Sequence, residues 1–208
     1  MTEKRWKTAL VAISVSSAVL LLTIIARRER PLPRVAEEYS RALVNCDGRH
    51  LMNHTWEEEA RANSYTSEKL ERLCNELIKP VVQRFRRSEE TTVQDNGRQA
   101  VAALPLRSSR GVPREFSVTM QRTGFGDKTS FSTKIVSAWV LSYELDKNLE
   151  ANLESVLPAM AAGWKRDGPL LKSLGIRYWA RENYETGEID LVDFEALIDR
   201  NSTPRSGR

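Results

Sequence analysis

Two cysteines and two histidines are the residues of this chain whose types and spacing most directly suggest chemistry. Cys46, His50, His54 and Cys74 are all the cysteines and histidines in the sequence. The first three are four residues apart, which would place them on one face of a helix. The set offers the two sulfur and two nitrogen ligands of a tetrahedral zinc site. Paired Cys-x-x-Cys spacing is absent, so a metal site is the weaker alternative.

A disulfide between Cys46 and Cys74 is a second interpretation of the same residues. Each cysteine lies on the apolar face of a predicted amphipathic helix, and an oxidising compartment would link two such thiols. Closing this loop would stabilise the fold by about 3 kcal/mol. Two buried free thiols that act as small apolar side chains are the third interpretation. The sequence leaves all three open.

The rest of the chain lacks a comparable catalytic signature. No Ser-His-Asp order, paired-carboxylate motif or nucleotide fingerprint is present. The segment 124–129 (GFGDKT) lacks the spacing of a phosphate loop. The segment 182–194 fits a calcium loop poorly, because Tyr184 occupies a ligand position. We therefore predict no cofactor and favour a non-catalytic protein.

An uncharged run near the N-terminus predicts attachment to a membrane. Residues 8–26 contain no charge and are flanked by Lys4, Arg5, Lys7, Arg27, Arg28 and Arg30. About 20 apolar residues span the hydrocarbon core of a bilayer. A cleavable signal peptide is less favoured, because its apolar region is about 7 to 15 residues long. The sequence thus predicts a tail (1–7), a single transmembrane helix (8–26) in the lipid bilayer and a juxtamembrane linker (27–34).

The distribution of charge argues against a nucleic-acid partner. The formal net charge is +4, from 32 Lys and Arg against 28 Asp and Glu. Residues 1–34 carry 7 basic and 2 acidic residues, or +5, so residues 35–208 carry 25 and 26, or −1. A nucleic-acid-binding domain normally has a basic face. The remaining domain is near neutral, and we predict that it lies outside the cytoplasm, where proteins with an N-terminal anchor often place their main domain.

Periodicity predicts helices first and strands afterwards. Apolar residues recur at helical spacing over 35–46 and, most clearly, over 70–85, where Pro80 predicts a kink. After Glu90 the period becomes two, which predicts an antiparallel meander with strands at 99–106, 115–121 and 131–143. Helical spacing returns over 147–163. The segments 176–180 and 189–194 are predicted as a hairpin, or as a strand followed by a helix.

The predicted fold class is α+β, with an N-terminal transmembrane helix followed by helices packed on a curved antiparallel sheet. The α+β domain would cover residues 35–200, and residues 201–208 (NSTPRSGR) are predicted to be a disordered tail.

One segment resembles a known family. Residues 35–58, with Ala36, Tyr39, Ala42, Leu43, Asp47 and Leu51, resemble the opening helix of NTF2-like (cystatin-like cone) domains, and the resemblance covers residues 35 to 145. It implies that helices precede a strongly bent sheet whose concave side forms a pocket. Membrane-anchored members of that family occur in bacterial secretion and envelope assemblies.

These observations together predict a single-pass membrane-anchored protein whose domain is a non-catalytic binding or assembly module of the cell envelope. The partner would be another protein or a second copy of the chain. The alternative is a membrane-anchored enzyme or a small-ligand-binding protein that uses an NTF2-like pocket. The predicted binding surface comprises Phe116, Met120, Trp139 and Tyr143.

Overall fold

The computed structural model describes residues 31–87, 90–124, 126–147, 156–182 and 188–202 of the 208-residue chain. Four helices come first: α1 Leu32–Asn45, α2 Gly48–His54, α3 Glu57–Ala62 and α4 Ser67–Leu73. Helix α1 places its apolar stripe against the sheet, because Val35, Tyr39 and Leu43 share one face and are buried.

The junction between α1 and α2 is fixed by the backbone. Cys46 ends α1 in the left-handed conformation, with φ 55° and ψ 43°. The Cys46 N–H donates to the Leu43 carbonyl at 3.3 Å and the Asp47 N–H donates to the Ala42 carbonyl at 2.9 Å, which is a Schellman motif. The Asp47 carboxylate then caps α2 by accepting the His50 N–H at 3.1 Å.

Helix α4 changes type where the kink was predicted. It continues as a π-helical segment, Cys74–Ile78, and then as α5, Lys79–Val82. Pro80 has no N–H and its ring collides with the carbonyl four residues earlier in a regular α-helix. The Lys79 N–H instead donates to the Cys74 carbonyl, five residues back, and this wider turn accommodates the proline.

The main sheet has five antiparallel strands: β1 Arg86–Arg87, β2 Thr92–Asp95, β3 Gln99–Arg107, β4 Pro113–Thr123 and β5 Gly126–Lys128. Strand β3 pairs with β4 along its whole length. On its other edge it pairs with β2 and then β1. Pro105 lies between those two pairings, where a missing N–H removes no ladder bond. Helix α1 packs across β3 and β4.

The second half of the described chain holds two long helices and a hairpin with a final helix: α6 Phe131–Lys147, α7 Val156–Ser173, β6 Tyr178–Glu182, β7 Ile189–Asp193 and α8 Phe194–Ser202. Strands β6 and β7 pair antiparallel in a sheet of their own. Helix α6 packs against α7, β4, β6 and the π-helical segment. It is therefore surrounded by other elements.

The predicted fold class is wrong in its first element. No helix within the described ranges is long and apolar enough to cross a membrane. The longest of them, α7, carries Lys165, Arg166 and Asp167 in its middle, as expected of a helix with one apolar and one polar face. Residues 8–26, where the span was predicted, lie outside the described residues. The described residues form an α+β arrangement of helices and an antiparallel sheet.

The third strand of the predicted meander is also wrong, because residues 131–143 belong to α6. Phe131, Ile135 and Trp139 are buried, and so are residues on the other faces of the helix. An element that is apolar around its whole circumference gives no clear period. A usable signal was Ser130, whose hydroxyl accepts the Thr133 N–H at 3.1 Å as the N-cap of α6.

The predicted helix over 147–163 overlaps α7 from Val156 onward, and residues 148–155 lie outside the described residues. Helix α7 continues through Gly163, Gly168 and Pro169 to Ser173. Gly163 remains helical because it is the contact point with α6, where Trp139 lies directly above its Cα. The Trp139 ring is held in place by a 2.7 Å hydrogen bond from Nε1 to the Asp167 carboxylate.

Gly163→Ala is expected to lower the free energy of unfolding by about 2 kcal/mol, because the new methyl group overlaps the Trp139 ring and overpacking outweighs the helix propensity gained. Gly168→Ala is the matched control in the same helix. Its methyl would contact the half-buried Trp164 ring at 3.2 Å, which can move aside. Urea denaturation should give a lower free energy of unfolding for Gly163→Ala than for Gly168→Ala. Equal values for the two variants would contradict the close contact of α6 with α7.

Candidate functional site

A groove with a volume of about 1080 Å³ on the described surface could hold a ligand. Five elements line it: the first half of β4, one face of α6, the start of α7, strand β6 and helix α8. Helical spacing selects the lining side chains. On α6 they are Val136, Val140 and Glu144, each four residues from the next. Alternation selects Trp179 and Arg181 on β6.

Apolar side chains make up the wall opposite β4. Val156, Leu157 and Met160 of α7 lie beside Leu197 of α8. The Leu157 side chain is 40% exposed, which is unusual for a leucine beside a cavity of this size. Uncovered apolar surface around a concave site is typical of ligand and partner sites.

Hydrogen bonds to the main chain of β6 hold Trp179 and Arg181 at the groove. The Ser132 hydroxyl accepts the Ala180 N–H at 2.9 Å. The Asn63 side chain accepts the Tyr178 N–H at 2.8 Å and donates to the Tyr178 carbonyl at 2.8 Å. Because these donors and acceptors belong to α6 and to the end of α3, the hairpin is fixed to the helical layer.

A buried ion pair gives the groove its polar anchor. The Arg114 Nε lies 2.7 Å from the Glu144 Oε2, with side chains 16% and 2% exposed. Burial raises the pKa of Glu144, and the Arg114 guanidinium opposes that rise. Glu144 Oε1 has no hydrogen-bond partner among the described residues. This oxygen is shielded from solvent, so the carboxylate carries a desolvation penalty that the Arg114 guanidinium offsets.

A second polar cluster lies in the interior, around Glu59 of α3. Its Oε1 accepts the Ser132 N–H at 2.7 Å and the Tyr65 hydroxyl at 3.3 Å. Its Oε2 and the Tyr39 hydroxyl have no hydrogen-bond partner among the described residues. Burial raises the pKa of Glu59 to about 7, against the lowering effect of its hydrogen bonds. The carboxyl group is therefore a titrating element of the core and does not line the groove.

The predicted binding residues lie mostly in the core. Phe116, Met120 and Trp139 are each no more than 1% exposed, and Tyr143 is half-buried. None of the four lines the groove. The side chains of Phe116, Val118 and Met120 point into the core, whereas Glu115 and Ser117, with the opposite phase, reach the groove. Arg114, near the start of the strand, also lines the groove.

Cys46 and Cys74 form a disulfide, with their Cα atoms 5.4 Å apart. Both side chains are buried. Bonded sulfurs are not available as thiolate ligands, so the four-ligand zinc site lacks two of its donors. Within the described residues, no three His, Cys, Asp or Glu side chains are grouped to hold a metal ion.

The two histidines of α2 lie side by side, with ring centroids 4.9 Å apart. His54 Nδ1 is 2.8 Å from the Asp127 carbonyl oxygen, so Nδ1 carries the proton and donates. Burial lowers the pKa of His54, which keeps the ring neutral. Neither histidine lines the groove, and the His54 hydrogen bond attaches α2 to β5.

The groove residues escaped the sequence analysis for an identifiable reason. Arg114 and Glu144 are 30 positions apart in the sequence and belong to a strand and a helix, so no local spacing links them. The one available signal was Glu144 within the otherwise apolar stretch of α6, because a charged residue in a buried helix is rare unless it is paired.

No family model, curated protein or solved structure matches this chain.

Proposed function

We propose that this domain is a non-catalytic binding module whose groove receives a partner with an apolar face. The groove itself is the observation that carries the proposal. It combines partly exposed leucine and valine side chains with the Arg114–Glu144 ion pair. Pockets of this kind take affinity from the apolar area and orientation from a few fixed polar groups.

The polar groups at the groove favour binding over catalysis. Two carboxylates line it, Glu115 and Glu144, and no histidine does. Glu144 is engaged by Arg114 at 2.7 Å, and the Glu115 carboxylate accepts the Ser117 hydroxyl. A general base needs to reach a substrate proton, and a nucleophile needs an adjacent base. The described lining residues offer an anchor for a donor group.

The disulfide supports a location outside the reducing cytoplasm, because such bonds persist in oxidising compartments. An assembly role in such a compartment is part of the same proposal. The resemblance of residues 35–58 to NTF2-like domains stays a prediction and adds no residue to the site.

Leu157→Glu tests the proposal. The apolar dye 8-anilinonaphthalene-1-sulfonate is expected to bind the full chain and to bind this variant about tenfold more weakly, because one leucine contributes about 1.5 to 3 kcal/mol when it is covered. The measurement is a fluorescence titration, with quenching of Trp179 at the groove as a second readout.

Leu191→Glu is the matched control, because Leu191 is 39% exposed and does not line the groove, whereas Leu157 is 40% exposed and does. Dye affinity should be unchanged in the control. Equal losses in both variants, or no dye binding to the full chain, would show that the groove is not an apolar binding site.

A further inference from the structure

We infer that the groove binds an extended peptide, which pairs with the outer edge of β4 at Glu115–Ser117 as an added strand. The inference rests on the proposed function and names the chemistry of the partner: main-chain amides with apolar side chains at alternate positions. The inference is supported by the position of an unpaired part of the β4 edge, which lies beside the apolar groove.

The register of the sheet shows which way the main-chain groups of β4 point. The Arg122 N–H donates to the Arg98 carbonyl and the Ser108 N–H donates to the Val112 carbonyl, so even-numbered positions of β4 bond to the β3 side. In an antiparallel ladder the intervening residues direct their N–H and C=O groups to the other edge. Odd-numbered residues of β4 therefore direct their N–H and C=O groups toward β5 and α6.

Several main-chain groups on that outer edge already have partners. Strand β5 pairs with β4 only from Gln121 to Thr123. The Thr129 hydroxyl donates to the Thr119 carbonyl at 2.5 Å, and the Lys134 ammonium donates to the Ser117 carbonyl at 3.4 Å. Within the described part of the chain, no strand pairs with this edge from Pro113 to Met120.

The unoccupied part of the edge is the part that lines the groove. The Glu115 N–H, the Glu115 carbonyl and the Ser117 N–H point outward, and both residues are at the groove. Glu115 is paired across the sheet with Pro105 at a non-hydrogen-bonded position of the ladder, so the Glu115 N–H and C=O groups both point away from β3. Three main-chain groups in strand geometry, which no strand of the described residues covers, are a template for strand addition.

The groove has apolar surface that the side chains of such a strand could contact. A strand added to β4 would lie about 4.8 Å from it, between β4 and the wall formed by Leu157 and Leu197. Alternate side chains would then cover Val140 and Leu157. A second copy of the chain would bring its whole sheet edge against the α7 wall, whereas a single extended segment fits between the two.

A display library of random nine-residue peptides, selected on the full chain, tests the inference. Selected peptides are then resynthesised with N-methyl groups on one or the other alternating set of amides. One set is expected to weaken binding about tenfold or more and the other to leave it nearly unchanged, because only one set faces β4. A peptide held by side chains alone would respond similarly to both sets.

Two variants at position 115 test whether the peptide bonds to the main chain of β4. Glu115→Pro removes an N–H from the outer edge without removing a ladder bond, and should weaken peptide binding about tenfold. Glu115→Ala keeps that N–H and should lose much less affinity than Glu115→Pro, because it removes only the side chain. Should Glu115→Pro not fold, the N-methyl comparison decides alone.

The outcomes separate this inference from the function on which it rests. Dye binding that depends on Leu157, without any selected peptide, would overturn strand addition and leave the apolar site standing. Peptides that are insensitive both to N-methylation and to Glu115→Pro would overturn it as well. If the full chain bound neither the dye nor any selected peptide, both proposals would be wrong.

Discussion

Replacing both Cys46 and Cys74 by alanine is expected to lower the free energy of unfolding by about 3 to 4 kcal/mol, which is much of the stability of a typical domain. The disulfide closes a loop with a sequence separation of 28, and the loss is mainly the entropy that the open loop regains in the unfolded chain. Urea denaturation of the oxidised full chain and of the double variant measures it. Reduction of the original chain with dithiothreitol should reproduce the loss.

The backbone at Cys46 provides a control inside the same experiment. Cys46 has a left-handed conformation, φ 55° and ψ 43°, which glycine adopts without strain and alanine does not. The pair Cys46→Gly with Cys74→Ala should therefore be about 1 kcal/mol more stable than the double alanine variant. A loss below about 1 kcal/mol for the double alanine variant would contradict a stabilising disulfide.

The sequence predicted those elements whose signal is local. The apolar stripe over 70–85 predicted helices that the structure contains, because this pattern depends on residues within a few turns. Strands β3 and β4 followed from alternation of exposed and buried positions. Helix α6 did not, since buried residues occupy most of its circumference and only one face lines the groove, which obscures the helical period.

The groove could not be predicted, because its position depends on how separate elements pack. Alternation along β4 divides its side chains into two sets on opposite faces, but the sequence does not show which set is buried in the core. Phe116 and Met120 proved to face inward, whereas Glu115 and Ser117 line the groove. Glu59 illustrates the same limit. It is the third of three consecutive glutamates, a pattern typical of a solvated surface, and only its packing against α6 makes it a buried acid.

The stability of the protein is expected to fall by about 3 kcal/mol through Glu59 as the pH rises from about 4.5 to about 7. In the folded chain, burial raises the pKa of Glu59 from 4.5 to about 7. Over this range the folded chain retains a proton that the unfolded chain has lost. The contribution is therefore complete below the unfolded pKa and is lost as the pH rises to the folded pKa.

Glu59→Gln isolates this effect, because a neutral amide does not titrate. Its carbonyl oxygen can still accept the Ser132 N–H and the Tyr65 hydroxyl, which are 2.7 Å and 3.3 Å from Glu59 Oε1. The free energy of unfolding of the variant, minus that of the original chain, should rise by about 3 kcal/mol between pH 4.5 and pH 8. Urea denaturation at several pH values gives the difference directly.

Taking the difference removes the other titrating groups. Burial lowers the pKa of His54, so its contribution is lost as the pH falls below about 6.5, in the opposite direction to that of Glu59. This contribution is common to both chains and cancels. Glu58→Gln, one residue away on the exposed side of α3, should give a difference within about 0.5 kcal/mol at every pH. A flat difference for Glu59→Gln as well would mean that the carboxyl group at position 59 ionises as freely in the folded chain as in the unfolded one. The cluster around Ser132 and Tyr65 would then have to admit water.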